Sequence, residues 1–288
     1  MIGACLAERE KMSPNIEFFG KEIPLYGILF YTGIAVAAAV AALVCKRKKI
    51  DRFDLACSAI YTMIGAVIGA KLLFIAISID DIIRYQIPLS DVIKGGFVFY
   101  GGLLGGILGL FIYCKQFKEK FMQYAELFAT VLPLGHAFGR VGCFFAGCCY
   151  GMPYDGHFSY AYSAEYFGYT PVGVPLLPVQ LIEAGCLLLI FVFMIILYFK
   201  TKDQYGLAPI IYLMIYSVLR FVLEFFRGDA VRGTLLGVST SQWVSILLIL
   251  AAVAYLIYFR CKKRPLTYVA ESSSVPATSN SDEPTKTV

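Results

Sequence analysis

Of 288 residues, 59% are hydrophobic, 15% aromatic and only 16% charged, and the mean hydropathy is +0.71. Such usage lies outside that of soluble globular chains and excludes disordered and collagen-like ones. The net charge of +5 is small, and its basic residues cluster in the short stretches between apolar runs, so no nucleic-acid partner is expected.

The class predicted is an all-α polytopic membrane protein. Residues 1–23 lack the basic start and apolar h-region of a cleavable signal peptide, so the first span is expected to stay as an anchor behind an outer N-terminal segment. Runs of about 20 apolar residues, the length that crosses a bilayer, occur seven times. They extend from about Pro24 to Cys45, Leu55 to Ile79, Gly96 to Cys114, Phe121 to Ala146, Leu181 to Phe199, Gly206 to Arg227 and Gly237 to Phe259. Gly65 and Gly69 in the second run, and Gly101, Gly105 and Gly109 in the third, recur at a spacing of four and read as close helix packing. An outer segment over 150–179, rich in Gly, Pro and Tyr, follows the fourth run and is placed to cover a site. Residues 24–260 thus form a seven-helix transmembrane domain, and the Ser/Thr/Pro-rich end, 261–288, reads as a disordered cytoplasmic tail.

Lys and Arg fix the expected orientation, because cytoplasmic loops carry their excess. Lys46, Arg47, Lys48, Lys49 and Arg52, then Lys115, Lys118 and Lys120, then Lys200 and Lys202, then Arg260, Lys262, Lys263 and Arg264 fill alternate connections. They outnumber the basic residues of the opposite ones. The N-terminus is therefore expected outside and the C-terminus in the cytoplasm.

Charge inside a bilayer costs several kcal/mol unless paired or given a task, so it marks a functional site by default. The fourth span carries Arg140, with His136 one turn deeper, and the sixth carries Arg220, Glu224 and Arg227 on one face. Tyr26 and Tyr100 begin the first and third spans. These seven polar groups, on four spans, are expected at the outer end. Glu224 is expected to neutralise its two neighbouring arginines in part, leaving Arg140 and one other arginine for an anion such as a lipid phosphate, which an arginine fork matches. The plainer reading makes Arg220 and Glu224 a structural ion pair, Arg140 a cap on helix carbonyls, and both tyrosines interfacial aromatics.

Nine cysteines are present, three of them, Cys143, Cys148 and Cys149, close together. They lack the C-x-x-C spacing of zinc and thioredoxin-like sites. Packing, a Cys143–Cys148 disulfide, a catalytic thiol and a metal-ligand set all stay open for them; no cofactor and no metal is expected.

G-R-V-G at Gly139 to Gly142, then Phe144, Gly147 and Gly151, then P-V-Q-L-I-E at Pro178 to Glu183 and R-F-V-L-E-F-F-R at Arg220 to Arg227 resemble the prolipoprotein diacylglyceryl transferase family. Y-G at Tyr26, G-A-K at Gly69 to Lys71, Y-G-G-L-L-G at Tyr100 to Gly105 and S-Q-W at Ser241 to Trp243 extend the match over nearly all of the apolar region. The resemblance implies a seven-helix enzyme of the bacterial cytoplasmic membrane, its active site facing outward. Such an enzyme moves the diacylglyceryl group of phosphatidylglycerol to the lipobox cysteine of a prolipoprotein and leaves glycerol phosphate. It implies that Arg140 binds phosphate, that Arg220, Arg227 and Glu224 form a second cationic element, that Tyr26 is functionally important, and that Gly151 closes the signature. The substrate-binding set is then Arg140, Cys143, Gly151, Arg220 and Arg227, and the catalytic set Tyr26, Tyr100, His136, Arg140, Arg220 and Glu224. This chain departs from the family where His commonly precedes G-G-L and Tyr100 stands here, and where G-N-F-x-N-x-E is common and Cys143, Ala146 and Cys148 replace its polar residues. His136 is a possible substitute base. Two alternatives follow from the departures: a thiol redox or metal-handling protein built on the three cysteines, and a lipid-headgroup transferase with another acceptor. A transporter would carry an internal repeat with paired broken helices, and none is visible.

Overall fold

The computed structural model describes residues 15–18, 21–162, 170–201, 204–229, 234–235, 238–261 and 268–269. The expectations for residues 1–14 and 271–288 fall outside these. Seven long helices form the body: α1 (Leu25–Val44), α2 (Arg52–Arg84), α3 (Phe99–Gln116), α4 (Phe121–Phe145), α5 (Val179–Lys200), α6 (Leu207–Glu224) and α7 (Thr240–Cys261). Their bounds follow local chemistry. Pro24 and Pro178 precede α1 and α5, Asp51 caps α2 by accepting from the Phe53 amide at 3.0 Å, and Gly206, at φ 99°, turns the chain into α6.

Six of these helices are long and apolar enough to cross a membrane. The remaining one, α3, is shortened in hydropathy by its glycines and its Lys115–Gln116 end, yet packs along α2. The chain is thus an all-α, multi-pass membrane protein. Helix α4 is central, packing on α1, α5 and α6, while α7 packs on α6. Contact between α3 and α4 is slight, so the α2–α3 pair stands as a unit beside the rest. Its interior is backbone on backbone. A Cβ at Gly65, Gly69, Gly101, Gly105 or Gly109 would meet a carbonyl of the facing helix, the small-residue contact expected when lipid gives no hydrophobic drive to association.

Lys71 of G-A-K finds a packing role. A short helix, Leu89–Lys94, precedes α3, and the Lys71 ammonium donates to the carbonyls of Val92, Ile93, Gly95 and Gly96 at 3.0–3.3 Å. It neutralises the negative end of that helix, and the Phe97 ring, 4.3 Å away, adds a cation–π contact.

The end of the bundle rich in basic residues is tied shut. Lys48, fully buried, donates to the Thr201 carbonyl and lies over the Tyr198 ring. Arg47 donates to Phe199 at 2.8 Å. Glu126 Oε2 accepts the Gly206 and Ala208 amides at 2.8 and 3.0 Å, satisfying the first turn of α6. Short strands at Tyr268–Val269 and Gln204–Tyr205 pair antiparallel. Tyr268–Val269 thus form a strand within 261–288.

At the other end, the segment after α4 is stitched to α5 and α6. Gly151 donates its amide to Leu177 at 3.1 Å, Met152 to Phe226 at 2.9 Å, and Gly228 to Tyr150 at 3.1 Å. A further two-stranded pair, Tyr160–Ala161 with Pro175–Leu176, closes this cover. The expected cover over 150–179 is therefore anchored on both flanks, with 163–169 outside the described residues.

Candidate active site

Arg140 sits in the last turns of α4, after Pro133 has removed one amide from the helix ladder. Its Nε lies 3.1 Å from Glu183 Oε1, near the start of α5. The Tyr216 hydroxyl of α6 donates to the same oxygen at 3.1 Å. Tyr216 in turn meets the His136 ring edge to face, with centroids 5.0 Å apart, and Phe99 stacks on His136 at 6.1 Å. Three helices thus converge on one buried carboxylate, which is 1% exposed.

Arg220, 6% exposed, lies on α6. Its Nη2 is 2.6 Å from Glu224 Oε2, one turn on, and donates to Ser241 Oγ of α7 at 3.1 Å. Its Nη1 is buried with no hydrogen-bond partner among the described residues, and Arg140 Nε is likewise out of line for a hydrogen bond to Glu183. A buried donor without an acceptor costs about 1–3 kcal/mol, more for a charged group, and these two guanidinium nitrogens are such donors among the described residues.

Arg227, just past α6, binds Asp229 through both Nε and Nη2, at 2.8 and 2.6 Å. Burial opposes its charge, but the hydrogen bonds and the neighbouring Asp229 and Cys149 outweigh that and hold its pKa above the usual arginine value.

The expected sharing of Glu224 between two arginines is corrected. Each arginine has its own carboxylate: Arg140 has Glu183, Arg220 has Glu224, and Arg227 has Asp229. Three cations buried together repel strongly at low dielectric, and a private counter-charge lets each remain ionised. Glu183 stands inside P-V-Q-L-I-E, where a lone carboxylate in an apolar helix is itself the signal of a role. Ser241 enters only within S-Q-W, without a role, and Tyr216 and Asp229 carry no signal, since Tyr and Ser in helices have no charge signature and Asp229 follows the apolar run.

Tyr26, 38% exposed, packs on Gly142, where a Cβ would touch its ring at 3.0 Å, and its phenol lies in the electrostatic neighbourhood of Arg140, Cys143, Cys148 and Cys149. Tyr100 joins the group indirectly, through the Phe99 ring 5.7 Å away. Gly151 bridges to Arg227 backbone to backbone, and a Cβ there would strike the Leu177 carbonyl. It positions the arginine.

The chain after α4 turns twice through the left-handed region, at Gly147 (φ 67°) and Cys149 (φ 60°). For a non-glycine this costs about 1–2 kcal/mol. The Cys148 amide donates to the Cys143 carbonyl at 3.2 Å, Gln180 donates to the Cys148 carbonyl at 2.8 Å, and Thr170 to Gly147 at 2.9 Å. These bonds bring Cys143, Cys148 and Cys149 together as thiols, their sulfurs all within 4.8 Å of one another.

Fold and site together define a multi-pass membrane protein with a cluster of buried arginine–carboxylate pairs at one end of a helical bundle. The chain belongs to the prolipoprotein diacylglyceryl transferase family, whose model matches residues 15–258. A phosphatidylglycerol–prolipoprotein diacylglyceryl transferase of Clostridium tetani is 32% identical over 237 residues, covering 82% of this chain and 93% of that protein. One of Clostridium perfringens is 30% identical over 237 residues, with 82% and 91% covered. One of Idiomarina loihiensis is 33% identical over 210 residues, with 70% and 74% covered.

Proposed function

We propose that this protein transfers the diacylglyceryl group of phosphatidylglycerol to the cysteine thiol of a prolipoprotein lipobox, forming a thioether and releasing glycerol phosphate. The observation that carries the reading is the Arg220 guanidinium, buried, braced by Glu224 and Ser241, and with Nη1 unpartnered among the described residues inside a chain of this family.

The acceptor sulfur attacks the glyceryl carbon. The C–S bond forms as the C–O bond to phosphate breaks, and the electron pair leaves on glycerol phosphate. Developing charge on the phosphate is what the enzyme must stabilise, and preorganised donors in a water-poor site do this best. Arg220 Nη1 and Arg140 are the donors, Glu224 and Glu183 fix their orientation, and Arg227 adds positive potential from the mouth. His136, packed against two rings, with Tyr26 and Tyr100, forms the group from which a proton acceptor comes. Substrates are phosphatidylglycerol within the bilayer and the lipobox-bearing signal peptide. The setting is a bacterial cytoplasmic membrane, with the arginine-lined end facing outward.

The test is product identification. Purified protein incubated with labelled phosphatidylglycerol and a lipobox peptide is expected to give a thioether-linked diacylglyceryl peptide and glycerol phosphate by mass spectrometry, and nothing with the Cys-to-Ser peptide. Folded protein that yields neither product, or that modifies the Ser peptide equally, overturns the reading.

A further inference from the structure

The three cysteines take no part in the reaction as drawn, yet the fold converges them. Cys143 lies in the last turn of α4, and the two left-handed residues, Gly147 and Cys149, swing the chain back so that three sulfurs lie within 4.8 Å of one another. A zinc–thiolate bond of about 2.3 Å sets coordinated sulfurs about 3.8–4.0 Å apart, so closure on a metal needs a movement of under about 1 Å. The Cys148 sulfur is already turned inward, at 3.7 Å from the Cys143 carbonyl, and Gln180 clamps the Cys148 carbonyl from α5.

Charge gives the second argument. The nearest cations, Arg140 and Arg227, are each matched by a carboxylate, Glu183 and Asp229. Arg227 also meets the Cys149 sulfur, but its charge is shared with Asp229 and leaves three thiolates together short of positive charge. A divalent, thiophilic cation among them supplies it.

We propose that Cys143, Cys148 and Cys149 bind one zinc-type metal ion through three sulfurs and leave a fourth coordination position open to the acceptor thiol. Three protein ligands and one open position is the arrangement of catalytic rather than structural zinc, and a thiol that joins such a metal gives up its proton. The acceptor S–H proton would pass to the group formed by His136, Tyr26 and Tyr100, and the sulfur held by the metal would then attack the glyceryl carbon. C–S forms, C–O breaks, and the electron pair departs with glycerol phosphate; no oxidant or reductant is consumed. The spacing of Cys143, Cys148 and Cys149 did not predict this, because the convergence comes from the turn. The metal site stands by itself, whereas its thiol-activating role rests on the transferase reading.

The full chain, prepared without a histidine tag, is loaded with zinc, dialysed and assayed for metal, alongside Cys148→Ser, Cys149→Ser and Cys186→Ser, the last cysteine lying apart on α5. About one zinc per chain is expected in the wild type and Cys186→Ser, with affinity at least about tenfold weaker in either cluster variant. Circular dichroism confirms that each is folded. Retention that does not depend on Cys148 or Cys149, or a wild type that holds no zinc, overturns the site, as does a Cys143–Cys148 disulfide in protein prepared with reductant removed. Diacylglyceryl transfer is then measured in loaded and chelator-stripped protein. Loss on stripping and return with zinc supports the activating role, and equal rates overturn it. Zinc bound but no transfer in either state supports the metal site and overturns the role together with the transferase reading.

Discussion

Arg220 shows how one residue joins stability to chemistry. Its Nη2 pairs with Glu224 and donates to Ser241, and its Nη1 is buried with no hydrogen-bond partner among the described residues. Lysine would keep the charge but lose the fork, and cannot serve Glu224, Ser241 and a phosphate at once. Arg220→Lys is expected to lower transfer by about 100-fold, the scale of removing one oxyanion donor, with little change in thermal unfolding. A variant as active as wild type would show that the fork is not used. Glu183→Gln makes a different prediction, because it strands the Arg140 charge. Breaking one side of a buried ion pair costs about 3–5 kcal/mol, so its unfolding midpoint in detergent should drop well below that of Arg220→Lys. The arginines were legible from sequence because charge in an apolar run announces itself. Their private carboxylates were legible only in part, since pairing Arg140 with Glu183 needs the α4–α5 contact, which no local pattern encodes.

At the scale of elements, the spans themselves were readable, and the boundaries moved for physical reasons. Helix α2 runs to Arg84, beyond the apolar limit at Ile79, because Ile82 and Ile83 continue the apolar stretch past Asp80 and Asp81 and Arg84 in the last turn suits the negative end of the helix. The short helix Leu89–Lys94 was not foreseen, being six residues with no apolar periodicity to count. The glycine face was foreseen, and the α2–α3 interface bears it out. A valine at Gly105 would drive its Cβ into the Gly65 carbonyl, whereas at Gly102 a Cβ meets Ala66 and Ala70 at 3.5 Å, ordinary contact. Gly105→Val should therefore destabilise the detergent-solubilised protein by about 1–3 kcal/mol, and Gly102→Ala should melt within about 0.5 kcal/mol of wild type. Equal melting of the two would refute close packing at this face.

For the whole molecule, helix directions place Tyr26, Tyr100, Arg140, Glu183, Arg220 and Arg227 at one end, opposite the basic connections that tie the other end shut. The sequence revealed that shared end because alternating spans give each residue a depth, but depth cannot tell which groups touch. The convergence of Cys143, Cys148 and Cys149 stayed hidden for the same reason, since two left-handed residues made it. With the arginine end outward, a single cysteine placed at Tyr154 should react with an impermeant maleimide on intact cells, and one at Lys200 only after permeabilisation; the reverse pattern would invert the orientation.

The most direct measurement compares the rate of labelled diacylglyceryl transfer from phosphatidylglycerol to a lipobox peptide by wild type, Arg140→Ala and Arg220→Ala, all shown to be folded. Transfer by the wild type that falls by about 100-fold or more in each variant is the predicted result. Variants that transfer as fast as wild type would contradict the assignment of the buried arginines as the phosphate-binding centre.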